Sequence, residues 1–405
     1  MRALGILQKK LETSLSFMHA KRRGAFWRAV GGLLAGQRLW LTALGRSLPG
    51  TCSDKHRIKA VDRLVGNASV QRSVSILYAA MAALILRRIR RPVLLVDWTG
   101  ADPGFAVLSA KLSFRGRALT IFSRTFPNKL KCSPRAEREF LHALVAVVPS
   151  DCKPILVTDA GFLFKWFDGV RACGWDFVGR LRGSLTMKVG QNWLALQDVH
   201  GLARRRPRDL AGIVVGKKNR IEYRVVLSGK RKLKGRKKIG RSGSRRRSTA
   251  DRQRGAAARE PWVLATSLTD PARLVVHAYG TRMQIEETFR DLKSHRYGWS
   301  AEDIRSKNPR RIDVLLLIGA YASVTMHIVG LAAAEEQLHH GFQANTVRHR
   351  SVFSTFFLGK LTITHGYDRK LSLPKLLAAF RRLMHSLAIA SMDQGEHALI
   401  NAVSA

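Results

Sequence analysis

Tyr279, Arg282, Glu286 and Lys293 form the pattern Y-x2-R-x3-E-x6-K within the segment HAYGTRMQIEETFRDLKSHRYGW. On one helix at about 100° per residue, the four fall at roughly 0°, −60°, −20° and −40°. One acid, two cations and a phenol then share a narrow stripe. A carboxylate held between cations on a rigid support is what metal-assisted phosphodiester chemistry requires. A solvated charged face with i,i+4 ion pairs fits the same residues. A second stripe, Leu274, Ala278, Ile285 and Leu292, suits packing on a core.

Two further acids stand where chemistry is expected. Asp97 ends the apolar run VLLVD and Asp159 ends ILVTD. In a mixed α/β sheet, polar groups at the carboxyl ends of adjacent strands project into a shared crevice. A lone carboxylate there is costly to bury, and converging carboxylates repel one another. Divalent cations remove both conflicts. Mg²⁺ suits such a site, because it accepts a few carboxylates and takes its other ligands from water and phosphate. Asp159, just before AGF and a helix, also fits a helix cap.

The elements that must position these groups read as follows. Residues 1–90 are helical and basic. Ser53 and Asp54 cap a helix through KHRIKAVDRLVG, and a longer helix is expected across 69–91, stopped by Pro92. Both a DNA-binding module and a structural cap fit this region. RPVLLVDWTG is a strand buried on both faces. GFAVLSAKLSF and RALTIFSRTF form a hairpin around Arg115-Gly116-Arg117. The helix PRAEREFLHALVAVV, the strand PILVTDAGF, the helix FLFKWFDGVRACG and the strand DFVGRLRG complete a mixed α/β core.

Residues 183–262 interrupt that core with strand-like runs LTMKV, AGIVV and RIEYRVVLS, and PWVLATSL leads back into it. Between the last two lies 229–254, with 13 Lys and Arg and one acid, which reads as a solvated, mobile loop unless phosphates neutralise it. The core resumes over 263–335 with the helix of the opening pattern and a long helix covering it. A basic helical tail occupies 336–405.

Composition narrows the partners. The chain has 405 residues, room for about two or three domains, and its 46% apolar content excludes a disordered protein. Lys and Arg total 71 against 28 Asp and Glu, a formal net charge of +43. Such a field draws polyanions, so nucleic acid is the leading partner and an anionic membrane surface the second. The cysteines at 52, 132, 152 and 173 form no CxxC, which argues against structural zinc and suits a reducing cytosol. The start, MRALGILQKKLETSLS, lacks a signal-peptide core. The stretch 314–334 has the length of a membrane span but carries Tyr321, Ser323, Thr325 and His327, and is expected to be a buried core helix.

The ordered set VDWTG, VTDAGF and Y-x2-R-x3-E-x6-K, with GWDFVGRLRG after the second aspartate, resembles the DDE transposases of bacterial insertion sequences, in the YREK-signature group. The resemblance covers roughly residues 90–335. It implies a ribonuclease-H-like mixed sheet with flanking helices, interrupted by a β-rich insertion over 183–262. It also implies two divalent ions, Mg²⁺ with Mn²⁺ as a substitute, held by Asp97, Asp159 and Glu286. Tyr279, Arg282 and Lys293 would position the phosphate backbone, while Glu287, about 100° round the helix from Glu286, is set aside. The implied partners are the terminal inverted repeats of the element and target DNA, with a dimer formed on DNA at synapsis, in the bacterial cytoplasm and at the nucleoid. In relatives that pass through a hairpin, an aromatic in the insertion stacks on a flipped base. Trp193 and Trp262 are the candidates, with a core tryptophan the favoured reading for each; Trp98 reads as packing. A silent DNA-binding relic or regulator, and a hydrolytic nuclease without strand transfer, are the alternatives.

Overall fold

The computed structural model describes residues 1–101, 104–210, 214–215, 221–229, 260–344, 346–347 and 349–389. In chain order these form α1 (Arg2–Leu11), α2 (Ala20–Gly36), α3 (Leu41–Arg46), α4 (Asp54–Gly66), α5 (Ala68–Arg72) and α6 (Val74–Leu86). Then come β1 (Val93–Gly100), β2 (Phe105–Phe114), β3 (Arg117–Pro127), α7 (Pro134–Val147), β4 (Ile155–Thr158), α8 (Phe164–Ala172) and β5 (Asp176–Leu181). The next stretch holds β6 (Thr186–Val189), β7 (Asn192–Ala195), α9 (Leu196–Gly201), β8 (Arg208–Leu210), β9 (Val214–Val215), β10 (Ile221–Glu222), β11 (Arg224–Ser228) and β12 (Trp262–Thr266). Helices α10 (Ala272–Gly280), α11 (Met283–Lys293), α12 (Pro309–Glu335), α13 (Thr355–Thr364) and α14 (Leu373–Ile389) close the chain.

Eight strands follow the order β3-β2-β1-β4-β5-β12-β11-β8, a mixed sheet with flanking helices, as expected of a ribonuclease-H-like core. The chain divides into two compact units, at Leu156/Val157 within β4 and again at Gly280/Thr281.

The first unit is organised by α12 and the β1–β3 sheet. Strand β1 is a continuous apolar run, with Val93 to Val96 all buried, as a strand covered on both faces must be. β2 and β3 are joined by Arg115 and Gly116, both at positive φ (43° and 78°), the two-residue turn that matches strand twist. A bulge between Ala110 and Lys111 breaks the register once. Helix α7 opens on Pro134, and the Ser133 side chain accepts from the Ala136 N–H.

The expected 314–334 helix runs from Pro309 to Glu335. It is long and apolar enough to cross a membrane, yet 94% of its apolar window is buried within the protein, so it serves as a core helix. α1, α2, α4, α5 and α6 pack on it. Residues 1–90, read as a domain of their own, thus belong to the same compact unit, because so apolar a helix must be covered on every side. Phe26 and Trp27 meet Tyr321 edge-on at 5.0 and 5.4 Å, and the Tyr321 hydroxyl donates to the Leu77 carbonyl at 2.7 Å. The single helix expected across 69–91 is two: α5 and α6 part at Ser73, whose hydroxyl bonds the Ser69 carbonyl at 2.9 Å and bends the backbone.

The second unit contains β5, β12, β11 and β8, all antiparallel, and a separate four-stranded sheet in the order β10-β9-β6-β7. Within this unit β8 pairs with β11, and β11 pairs with β12. Val225, Val226 and Leu227 are all buried, so β11 needs cover on both faces. Phe167 stacks on Phe177 at 4.5 Å, and a side chain at Gly179 would overlap the Phe167 ring. Of the basic run 229–254, all but Gly229 lies outside the described residues.

Candidate catalytic site

Asp97 sits on β1 opposite Ser109 of β2. Its Oδ1 accepts from the Trp98 N–H at 2.7 Å, while Oδ2 lies 3.5 Å from Nη1 of Arg282. The other nitrogen of that guanidinium, Nη2, donates to Glu286 Oε1 at 2.6 Å. One guanidinium thus bridges two carboxylates from β1 and α11. Asp97 and Arg282 side chains are each 15% exposed, Glu286 44%. Lys293, at the far end of α11, brings its Nζ to within 3.9 Å of where a side chain at Gly100 would begin. Glycine at the end of β1 leaves the space open. Burial lowers the Lys293 pKa, opposed by Glu302 and reinforced by Lys131.

The four-residue pattern does not lie on one helix. α10 ends at Gly280, and α11 begins at Met283 with Arg282 as its N-cap residue. The Gln284 N–H bonds the Thr281 carbonyl at 2.9 Å and the Ile285 N–H bonds Arg282 at 3.1 Å, the tighter three-residue spacing of a restarting turn. A glycine followed by a β-branched threonine weakens the helix at this point. Arg282, Glu286 and Lys293 keep their shared stripe on α11. Tyr279 closes α10 in the second unit, 4% exposed, with its ring edge-on to Trp262 at 4.8 Å. Trp262 is therefore engaged in packing there. Trp193 lies half-buried on β7, paired with Lys188 of β6. Trp98 meets Phe126 edge-on at 5.6 Å, a packing role.

Asp159 directly follows β4 in the second unit. Its Oδ1 accepts from the Gly161 N–H at 2.8 Å, closing a tight turn. Helix α8 starts only at Phe164 and has no side-chain cap, so Asp159 is not its cap. Beside it, Ala160, Arg182, Gln197, His200 and Glu260 line a pocket of about 370 Å³. Among the described residues, no three His, Cys, Asp or Glu side chains are drawn together as a metal cluster. Glu287 pairs with Arg290 and lies 3.7 Å from Arg117, away from Arg282.

Sequence reasoning missed the residues behind α11. Gln284, Thr288 and Asp291 bond to the β2–β3 hairpin, and Arg117 pairs with Asp291 at 2.5 Å. Burial raises the Asp291 pKa against the pull of Arg117. Their i, i+4, i+7 spacing was the available signal. Lys111 was missed too. It is 3% exposed, its Nζ lies 4.6 Å from the Phe289 ring centre, and burial lowers its pKa to about 7 despite nearby Asp291. It lines a cavity of about 50 Å³ with Ser109, Asp291 and Lys293. Between about pH 7 and 10 the unfolded chain binds a proton at Lys111 that the folded chain does not, so stability rises with pH there. Lys111→Met is expected to raise the thermal midpoint by a few degrees at about pH 7, and the advantage should shrink toward about pH 10 in calorimetric scans.

Residues 123–322 match the family model described as Transposase DDE domain. The match takes in Asp159, Arg282, Glu286 and Lys293, and begins within β3, after Asp97. Among curated proteins, none matches the chain. The mixed sheet and this domain match over residues 123–322 are consistent with a DDE transposase.

Proposed function

We propose that this transposase binds the ends of its own mobile element, cleaves a strand at each end and joins it to target DNA. The observation that carries the reading is the contact set Asp97–Arg282–Glu286 in a chain with a DDE domain. Two carboxylates converging on one cationic group are a donor set suited to a hard divalent cation. Asp97, Glu286 and Asp159 are the residues that would hold two such ions, Mg²⁺ or Mn²⁺. Bound there, the metals would activate the attacking oxygen and stabilise the leaving one.

The chain's own groups do the rest. Arg282 presents a planar fork suited to a phosphate, and at present it neutralises the two acids. Lys293 supplies a point charge near the end of β1. The net charge of +43 draws DNA from a distance, and binding should weaken steeply with salt. Tyr279 completes the YREK signature in sequence. Two ends must be brought together before joining, which implies a dimer on DNA.

The test is an assay with duplexes carrying the DNA that flanks this reading frame, Mg²⁺ and a supercoiled target. A joined product is expected. Nicks or breaks without joining would indicate a hydrolytic nuclease, and salt-sensitive binding without metal-dependent cleavage would indicate a silent regulator.

A further inference from the structure

Helix α11 has two polar sides. Taking Gln284 as zero and about 100° per residue, Thr288 and Asp291 fall at roughly 40° and −20°. Arg282, Glu286 and Lys293 fall at roughly 160°, 200° and 180°, on the opposite side. Each residue of the first side is bonded to the hairpin. Gln284 Oε1 accepts from the Ser113 hydroxyl at 3.0 Å and from the Phe114 N–H at 2.9 Å, at the end of β2. Thr288 Oγ1 accepts from the Ala118 N–H of β3 at 2.7 Å, and its hydroxyl donates to the Gln284 carbonyl at 2.8 Å. Asp291 accepts from Arg117 Nε. Two of these four donors are backbone N–H groups of the hairpin, so Gln284 and Thr288 each reference the helix to main chain.

Three anchors over two turns determine both the rotation of α11 and its position along its axis. About 10 Å of helix separates the first from the last, at about 1.5 Å per residue. Sliding the helix by one residue would turn every anchor about 100° off its donor. The same movement would carry Glu286 away from Asp97. The anchors are therefore coupled to the carboxylates through a rigid body, without touching them.

We infer that Gln284, Thr288 and the Arg117–Asp291 pair are positioning residues, which set the register of Glu286 against Asp97. This rests on the reading of Glu286 as a metal-binding carboxylate given above.

The test compares Thr288→Val, which keeps shape and loses the acceptor, with Thr288→Ser, which keeps it. A Thr288→Val/Gln284→Met double variant removes two anchors, and Arg117–Asp291 is left intact to hold the fold. Mn²⁺ binding is followed by electron paramagnetic resonance on the protein bound to a pre-cut end duplex, alongside duplex affinity and cleavage rate. The double variant should bind duplex within about twofold of the parent. Its Mn²⁺ half-saturation should rise about tenfold, and its cleavage rate should fall on the order of ten- to a hundredfold, the scale of a small misplacement of reacting groups. Thr288→Val alone should shift both in the same direction by less, and Thr288→Ser should keep both at the parent's values. Unchanged Mn²⁺ half-saturation and rate in Thr288→Val and in the double variant, with Glu286→Gln inactive and weak in Mn²⁺, would overturn the inference alone. If Glu286→Gln itself keeps Mn²⁺ binding and cleavage, the assignment of Glu286 fails, and this inference with it.

Discussion

Replacing any one of Asp97, Asp159 or Glu286 by its amide is expected to lower strand cleavage by about a thousandfold or more, with duplex binding retained. The amide keeps the shape of the carboxyl and loses its charge, which is the property a divalent cation needs. In Asp97→Asn the side chain would still offer an oxygen to the Trp98 N–H, and in Asp159→Asn to the Gly161 N–H, so the local turns should survive. With 71 basic residues drawing DNA, loss of one acid should not weaken binding. Cleavage of radiolabelled end duplexes in Mg²⁺ and in Mn²⁺, beside gel-shift affinities, makes the measurement. Full activity in Asp159→Asn would remove Asp159 from the site, and equal loss of binding and cleavage would point to misfolding.

Gly330→Ala is the second large effect expected, and it concerns the fold. A methyl group at Gly330 on α12 would overlap the Thr355 carbonyl at the start of α13, and one at Gly359 on α13 would overlap the Met326 carbonyl. The two helices therefore meet backbone to backbone through paired glycines. Neither carbonyl belongs to a flexible side chain, so a whole helix must move. That movement would also disturb the His327 ring, which is buried, bonded to the Thr355 hydroxyl at 2.7 Å and edge-on to Phe114. A loss on the order of 4 kcal/mol, or failure to accumulate as soluble protein, is expected. Urea unfolding of the variant beside Gly5→Ala, where a methyl group meets nothing within 4 Å, provides the comparison. A midpoint equal to that of Gly5→Ala would show that α13 can shift freely.

Local chemistry made much of this chain legible. The apolar run 93–96 and the alternation around Arg115-Gly116 could form only a buried strand and a tight hairpin, since side-chain period and positive φ are short-range properties. The order of acids along the chain, Asp97, Asp159 and then Glu286, was legible for the same reason, as each stands at the end of a strand or within a helical pattern. The apolar stretch ending in α12 was read as core because its polar residues suit buried hydrogen bonds, and Tyr321 makes one.

What the sequence by itself determined, then, was the set of elements, the chemistry each could carry, and a net positive charge that draws polyanions. Tertiary structure alone decided that the opening helix breaks between Gly280 and Met283, because periodicity presumes an unbroken helix. It also decided that Arg282 reaches Asp97, far away along the chain, and that Gln284, Thr288 and Asp291 face the hairpin. Those are long-range contacts, chosen by how sheet and helix pack together, and no local pattern encodes which partner a polar side chain will meet.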